Sequence, residues 1–256
     1  MWGVAWRTEA HQEATMDTVK APLRLFSGPL SMFGAKAQIA ALEKGLDFEL
    51  VMVPFEMSYE PKHPDVLRVN PKRQVPILVH GDLEIFDSTQ IFEYFEDLQP
   101  DPALWPTDVK ARAQARLLEL KSDEVYFPHI IRLMGLPKDS DDPAAVSARA
   151  GAARYYEAMN ALLSQRDYLA GCYSFADIAF YMAHVFGARM GAPATGATPA
   201  VLRWRDRISA RPAVRAVLGP MVTFLGSRGR SVPEFLSLLG SVATASCGST
   251  AVAPRQ

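Results

Sequence analysis

The spacing of apolar positions divides the chain into a short mixed segment and a long helical one. Leu23 to Ser27 reads as a strand that Gly28 and Pro29 end. Met32, Ala35, Ile39, Leu42 and Leu46 then recur at intervals of three and four, which predicts a helix burying one face. Gly45 supplies a left-handed stop near its end. Phe48 to Val53 reads as a second strand, and so short a crossover predicts a parallel pair joined in the right-handed sense. Pro61 and Pro64 interrupt the stretch from Pro54 to Val69, which predicts a loop and a short helix. Val75–Val79 and Leu83–Phe86 predict a hairpin about His80, Gly81 and Asp82, where Gly and Asp tolerate the turn. A third helix starting near Ser88 would bury Ile91, Phe92, Tyr94 and Phe95.

After Gln99 the sequence Pro100, Asp101, Pro102 gives way to long helical patterns, which marks a domain boundary. Val109 to Met134 reads as one long helix that Pro128 should kink. Pro137 to Asp141 reads as a loop, and Asp142 with Pro143 opens the next helix in cap and first-turn positions. Ser174 followed three residues later by Asp177 has the pattern of a capping box. Further helices are predicted at Pro199–Ala210, Pro212–Leu218 and Pro233–Leu239. The expected organisation is an unstructured extension over 1–21, of which residues 1–15, before Met16, could be a misplaced start, a mixed α/β domain over 22–99, an all-helical domain over 103–240 and a flexible tail over 241–256.

Bulk properties narrow the function classes. A chain of 256 residues has room for two domains, and 49% hydrophobic with 21% charged residues supports an ordinary packed core. Twenty-seven basic and 28 acidic side chains leave a net charge of -1, so no global field favours nucleic acid or an anionic membrane as partner. There is no apolar run of the roughly 18 residues that a spanning helix needs. Arg7, Glu9, His11 and Glu13 break up any secretion signal. Cys172 and Cys247 make neither a disulfide framework nor a zinc site, and the histidines lack metal spacing. The expectation is a cytoplasmic protein without a metal, a nucleic-acid partner or a membrane partner.

Three short segments carry candidate chemistry. In Asn70 to Pro76, a proline opening a strand after a polar turn can sit on a cis peptide bond. The Val75 main chain would then face outward, where an extended peptide could pair with it as an added strand. An ordinary edge proline gives the same pattern. Asp87, Ser88 and Thr89 stand at a strand-to-helix junction, where helix amides and a hydroxyl attract a carboxylate while Asp87 could hold an ammonium. A plain N-cap reads the same way. Ser31 opens the first helix. A thiol with pKa about 8.5 is only a few per cent ionised at pH 7, and lowering it by two units takes roughly 2.7 kcal/mol, which a hydroxyl and helix amides could supply. A helix cap is the alternative here too.

Taken in order, these segments resemble the glutathione transferase family. Leu25, Phe26, Pro29, Leu30, Ser31, Phe33 and Lys36 are similar to the opening of the serine-type, bacterial-like cytosolic members. Gln74, Val75, Pro76, Asp87 and Ser88 look like that family's glutathione site. Tyr168, Leu169, Ala170 and Gly171 before Ser174, Ala176, Asp177 and Ile178 resemble its helical folding motif, and Trp204, Ile208, Ala210, Arg211, Pro212 and Val214 resemble the segment that follows. The resemblance covers residues 22 to 220. It implies a thioredoxin-like N-terminal domain, an all-α C-terminal domain, homodimerisation and glutathione as co-substrate. Ser31 would contact the thiol, Val75 the cysteinyl backbone, and Asp87 and Ser88 the γ-glutamyl end.

This sequence departs from the family pattern at Met32, where proline is frequent, at Gly34 and Ala35, and at Asp87 in place of Glu or Gln. Neither cysteine stands at the Ser31 position, which disfavours disulfide exchange. Lys62, Lys72 and Arg73 could meet the glycyl carboxylate, and Tyr126, Phe127 and His129 could line a second-substrate pocket, though an aromatic run on a helix is more often core. The implied activity is attack of the glutathione thiolate on a small electrophilic, apolar or aromatic compound, by conjugation, dehalogenation or ether cleavage. The alternatives are a non-catalytic interaction module on the same fold and a binding protein for apolar ligands.

Overall fold

The computed structural model describes residues 21–55 and 62–239, and the chain divides into two compact units between Leu104 and Trp105. The expected N-terminal extension, tail and misplaced start, with Cys247, lie outside the described residues. So does the part of the Pro54–Val69 loop at 56–61.

The first unit is built on four strands, β1 (Leu23–Ser27), β2 (Glu49–Met52), β3 (Ile77–His80) and β4 (Leu83–Phe86), in the order β2-β1-β3-β4. β1 runs parallel to β2 and antiparallel to β3, and β3 pairs with β4 as a hairpin whose Gly81 has φ +63°. Among the described residues three helices accompany the sheet: α1 (Met32–Glu43), α2 (Pro64–Val69) and α3 (Ser88–Leu98). Phe26, Val53, Val66, Val69 and Ile77 form a buried cluster, so the sheet and α2 are held by apolar side chains. This is the mixed α/β half that the patterning predicts, in the thioredoxin-like form that the family resemblance implies.

The α1 expectation is corrected in one respect. Met32, Ala35 and Ile39 are buried, but Leu42 is 40% exposed, while Gly34, Lys36, Ala37, Gln38, Ala40 and Ala41 are buried too. Small side chains let the helix be enclosed on nearly all sides, which a one-faced pattern does not foresee. Tyr94 in α3 is only half-buried, with its hydroxyl 2.6 Å from His80 Nδ1.

A buried ion pair fixes the end of this unit. Lys44 lies just past α1 with its side chain fully enclosed. Its ammonium pairs with Glu96 of α3 and donates to the carbonyls of Pro102 (2.8 Å) and Pro100 (3.3 Å). Glu96 in turn accepts the Leu104 amide at 3.1 Å on both oxygens. A buried charge is tolerable only when it is paired and hydrogen-bonded in this way. Residues 100–104 therefore stay with the first unit, although composition shifts after Gln99.

Among the described residues the second unit is all helix: α4 (Val109–Lys121), a π-helical turn (Ser122–Tyr126), α5 (Phe127–Ile131), α6 (Pro143–Leu163), α7 (Phe175–Arg189), α8 (Pro199–Ser209), α9 (Pro212–Ser227) and a 3₁₀ turn (Glu234–Leu239). The expected single helix over 109–134 is broken differently from a simple kink. The π turn absorbs the change of register, so Pro128 falls in the first turn of α5, where its missing N–H costs little. α9 does not stop at Leu218 but runs through Pro220 to Ser227, because Met221, Val222 and Leu225 continue its buried face.

α7 is buried along almost its whole length, and its start is closely tied down. The Asp177 carboxylate accepts the amides of Leu169 (2.9 Å) and Ser174 (3.0 Å), the Ser174 hydroxyl (3.1 Å) and the Trp204 indole N–H (2.9 Å). Burial pushes its carboxyl up to about 6 against the opposing pull of these donors. The capping box predicted from Ser174 and Asp177 is present. Trp204 stacks on Phe180 at 5.0 Å, which joins the cap to the aromatic core.

Candidate functional site

Strand register decides where the candidate residues go. Phe26 of β1 is opposite Ile77 of β3, and Ile77 is opposite Phe86 of β4. The segment after Phe26 leads to Ser31, the segment before Ile77 holds Gln74, Val75 and Pro76, and the segment after Phe86 is Asp87 and Ser88. All three leave the sheet at one end. α1 and α3 both begin there, so the partial positive charge of two helix N-termini is gathered at the same end as the three loops.

Ser31 is the N-cap of α1. It is half-buried, and its Oγ accepts the Gly34 amide at 3.0 Å. The hydroxyl proton is not used in that bond and can be donated outward. Gly34 is dictated by packing: a Cβ there would lie 2.1 Å from Ser27 Oγ and 3.1 Å from Ser31 Oγ. Ser27 is held in turn by Gln38, whose side-chain amide donates to Ser27 Oγ at 2.7 Å in a buried bond. The small residue at 34 thus lets the first turn of α1 close onto β1 and set the Ser31 hydroxyl. Gly34→Ala is expected to cost about 1–3 kcal/mol of stability through overpacking. It should also lower whatever activity Ser31 supports. Adding Ser27→Ala should recover part of both losses. Urea unfolding of the two single variants and the double variant measures the coupling, and strict additivity would refute the contact.

The 70–76 turn is organised by Asn70. Its side-chain amide donates to the Gln74 carbonyl at 2.6 Å, its Oδ1 accepts the Lys72 amide at 2.9 Å, and its own carbonyl accepts the Arg73 amide at 2.8 Å. Asn70 is buried while Lys72, Arg73 and Gln74 are exposed, and Arg73 takes a left-handed conformation with φ +56°. The Val75–Pro76 peptide is cis. Val75 lies outside the β1–β3 and β3–β4 registers, so its main chain is not consumed by either ladder.

Asp87 caps α3, with Oδ1 accepting the amides of Thr89 (3.0 Å) and Gln90 (3.3 Å). The cap alternative is therefore realised and occupies one carboxylate oxygen. Its backbone is unusual for a cap: φ +79° and ψ 130° lie where a non-glycine residue costs on the order of 1–3 kcal/mol, a strain that concentrates at binding sites. Ser88, the first helical residue, is buried.

Tyr126, Phe127 and His129 are placed in the helical unit. Tyr126 is fully buried, packed against Tyr155, Tyr156 and Phe180 with its hydroxyl 2.5 Å from that of Tyr156. A Cβ on Gly187 would lie 2.0 Å from that hydroxyl, so the tyrosine owes its seat to a glycine. Phe127 is half-buried and stacks on Phe186 at 5.4 Å. His129 packs its ring against Gly151 of α6, and burial together with the charges of Arg132 and Arg154 lowers its pKa. Tyr126 is core, whereas Phe127 and His129 keep partial exposure.

Sequence reasoning placed Asn70 in the turn without foreseeing its hydrogen bonds, and it missed Ser27 and Gln38. An amide residue before a proline turn is the signal for that role, since such side chains bond to nearby main chain. Ser27 and Gln38 carry no comparable mark. Among the described residues no group of His, Cys, Asp and Glu could hold a metal ion, and no helix is long and apolar enough to cross a membrane.

Comparison with known proteins gives a consistent result. Residues 25–103 match the family model for the glutathione S-transferase N-terminal domain and residues 123–212 that for the C-terminal domain. Glutathione S-transferase 3 of Zea mays is 32% identical over 75% of this chain and 91% of the maize protein. A stringent starvation protein A homolog of Coxiella burnetii is 31% identical over 46% of this chain, and the match spans 56% of that protein's length. The solved structure of a glutathione S-transferase from Rhodospirillum rubrum F11 aligns with a TM-score of 0.71 at 26% identity, covering 85% of this chain and 99% of that one.

Proposed function

The chain belongs to the glutathione S-transferase family, and on that footing we propose that it binds glutathione at the Ser31 end of its sheet and activates the thiol for attack on a small electrophile. The observation that carries this reading is the register Phe26–Ile77–Phe86, which brings Ser31, the 74–76 turn and Asp87–Ser88 to one end of one sheet.

Each part then has a physical role. The Val75 N–H and C=O pair with the cysteinyl main chain of the tripeptide as a short added strand. The start of α3, with Ser88 and the strained Asp87, receives the γ-glutamyl carboxylate and ammonium. The Asp87 oxygen left over from helix capping serves the ammonium. Lys72 and Arg73, exposed beside Gln74, meet the glycyl carboxylate. Ser31 donates its hydroxyl proton to the sulfur, and the N-terminus of α1 favours the negative charge. The thiol proton is released to solvent. The thiolate then forms a C–S bond to the electrophilic carbon, and the leaving group departs with the electron pair of its own bond. An epoxide oxygen would stay attached and take up a proton.

The other half of the reading is a homodimer of a cytoplasmic enzyme with an apolar or aromatic second substrate. Val109, Leu117 and Leu120 of α4 are 77%, 48% and 52% exposed and fall within one face of the helix, which supports a partner subunit. Sedimentation should give twice the monomer mass. A monomer at micromolar concentration would remove the dimer from the proposal.

A screen of aryl halides, epoxides and aryl ethers with and without glutathione tests the activity. Glutathione-dependent turnover is expected in at least one class. Silence in all three, with glutathione bound, would overturn the enzymatic reading and leave a binding module.

A further inference from the structure

The helical unit contains a cavity of about 450 Å³, within the range of small-molecule sites, bounded by His184 and Ala188 of α7, Pro193, Arg205 of α8, and Glu234 and Phe235 of the 3₁₀ turn. None of these residues belongs to the thiol chemistry above.

His184 is 1% exposed, and its two ring nitrogens have different fates. Nδ1 lies 2.9 Å from the Tyr156 hydroxyl, which is also 2.5 Å from the Tyr126 hydroxyl and 3.2 Å from the Ala192 carbonyl. A carbonyl can only accept, so Tyr156 donates to Ala192, while Tyr126 and the His184 Nδ1–H donate to the Tyr156 oxygen. This is the arrangement in which all three contacts are hydrogen bonds. It leaves Nε2 as an acceptor that no donor meets among the described residues. Burial, assisted by the Arg205 charge, lowers the imidazole to about 3, so the ring is neutral at ordinary pH. An unmet buried acceptor is destabilising, and a ligand with a suitable donor would relieve it.

The charged groups at the same cavity are of both signs. Arg205 lies over the Phe235 ring at 4.7 Å and holds Asp206 through Nε and Nη2 at 2.8 and 2.7 Å. Glu234, one residue before Phe235, forms no ion pair with Arg205 although both line the cavity. The Phe235 ring is 5.2 Å from the imidazole and tilted by 32°.

We propose that this cavity is a second binding site, for a small free amino acid whose ammonium is taken by Glu234 and His184 Nε2 and whose carboxylate is taken by Arg205. A lone anion would meet Glu234 and offer no donor to Nε2. A lone cation would face Arg205. A zwitterion satisfies all three, and Ala188, Pro193 and Phe235 supply the apolar wall for its side chain. Nε2 has no exposed surface and the Phe235 ring centroid lies 5.2 Å from that of the imidazole, so the ammonium reaches Nε2 only if the wall around it moves aside.

The full chain, labelled with ¹⁵N-histidine and saturated with S-methylglutathione to occupy the thiol site, is titrated with each of the common L-amino acids. At least one should shift the His184 Nε2 resonance saturably, with a Kd at or below about 1 mM. Its methyl ester and its N-acetyl derivative should each bind at least tenfold more weakly. Glu234→Gln, at an exposed position, should weaken binding about tenfold, and Arg205→Gln should do the same. No saturable shift with any amino acid overturns the proposal. So does an ester that binds as well as its acid, or binding that Glu234→Gln leaves unchanged.

Discussion

Ser31→Gly is expected to return the thiol of bound glutathione close to its free titration and to lower kcat/KM at neutral pH by about 100-fold. Two pKa units of thiol activation correspond to roughly 2.7 kcal/mol, or two powers of ten in rate where the thiolate is the nucleophile. Glycine is the informative replacement because Ser31 also caps α1 through the Gly34 amide. Alanine would remove the hydroxyl and weaken the cap together, at about 1 kcal/mol, whereas glycine at an N-cap costs only a few tenths. The glycine variant should therefore stay close to wild type in stability and glutathione affinity while losing the thiolate. Ultraviolet titration of the thiolate in the complex, beside a urea unfolding curve, separates the two effects. A glycine variant with the wild-type thiol titration would show that Ser31 only caps the helix.

The largest stability effect should come from Asp177→Ala. The substitution leaves the Leu169 and Ser174 amides and the Trp204 indole N–H without an acceptor in a fully buried setting. Each orphaned donor costs about 1–3 kcal/mol, so a loss of about 4 kcal/mol or more is expected, a large share of the roughly 5–15 kcal/mol that holds an ordinary domain together. Asp177→Asn keeps one acceptor oxygen and should lose markedly less. Urea unfolding followed by tryptophan fluorescence and by circular dichroism reads both variants. A change below about 1 kcal/mol for the alanine variant would mean that water or a shifted chain satisfies those donors.

Much of the fold was legible because its signals are local. Gly28 and Pro29 ended β1, Gly45 took its left-handed conformation, and Ser174 with Asp177 announced a helix start that is present. The pairing of β1 with β2 followed from a crossover whose helix leaves room for a parallel neighbour. What failed depended on packing between distant segments. Leu42 fits the helical pattern but falls in the last turn of α1, where the burial that encloses the rest of the helix ends. Pro220 looks like a terminator, yet the apolar residues beyond it hold α9 together. The π turn before Phe127 cannot be read from a sequence in which Pro128 suggests only a kink.

The candidate site shows the same division. Ser31, Asp87 and Ser88 could be named because helix starts have a vocabulary of their own. Asp87's strained backbone could not, since it arises from how β4 must turn into α3. Ser27, Gln38 and Gly34 were unreadable because they act as a set. A serine on a strand, an amide on a helix and a glycine between them have meaning only once the helix lies on the sheet.

The Lys44 ion pair bears on how the two halves of this chain came to be joined. A fragment of the first unit ending at Gln99 would keep the sheet with α1, α2 and α3, yet it would strip the enclosed ammonium of both proline carbonyls and Glu96 of the Leu104 amide. An ancestral or laboratory version of this unit living alone needs the five residues after Gln99, or a neutral side chain in place of Lys44. The peptide that looks like a tether between domains is thus already spoken for by the first of them, and any recombination that swaps the helical half has its seam at Trp105.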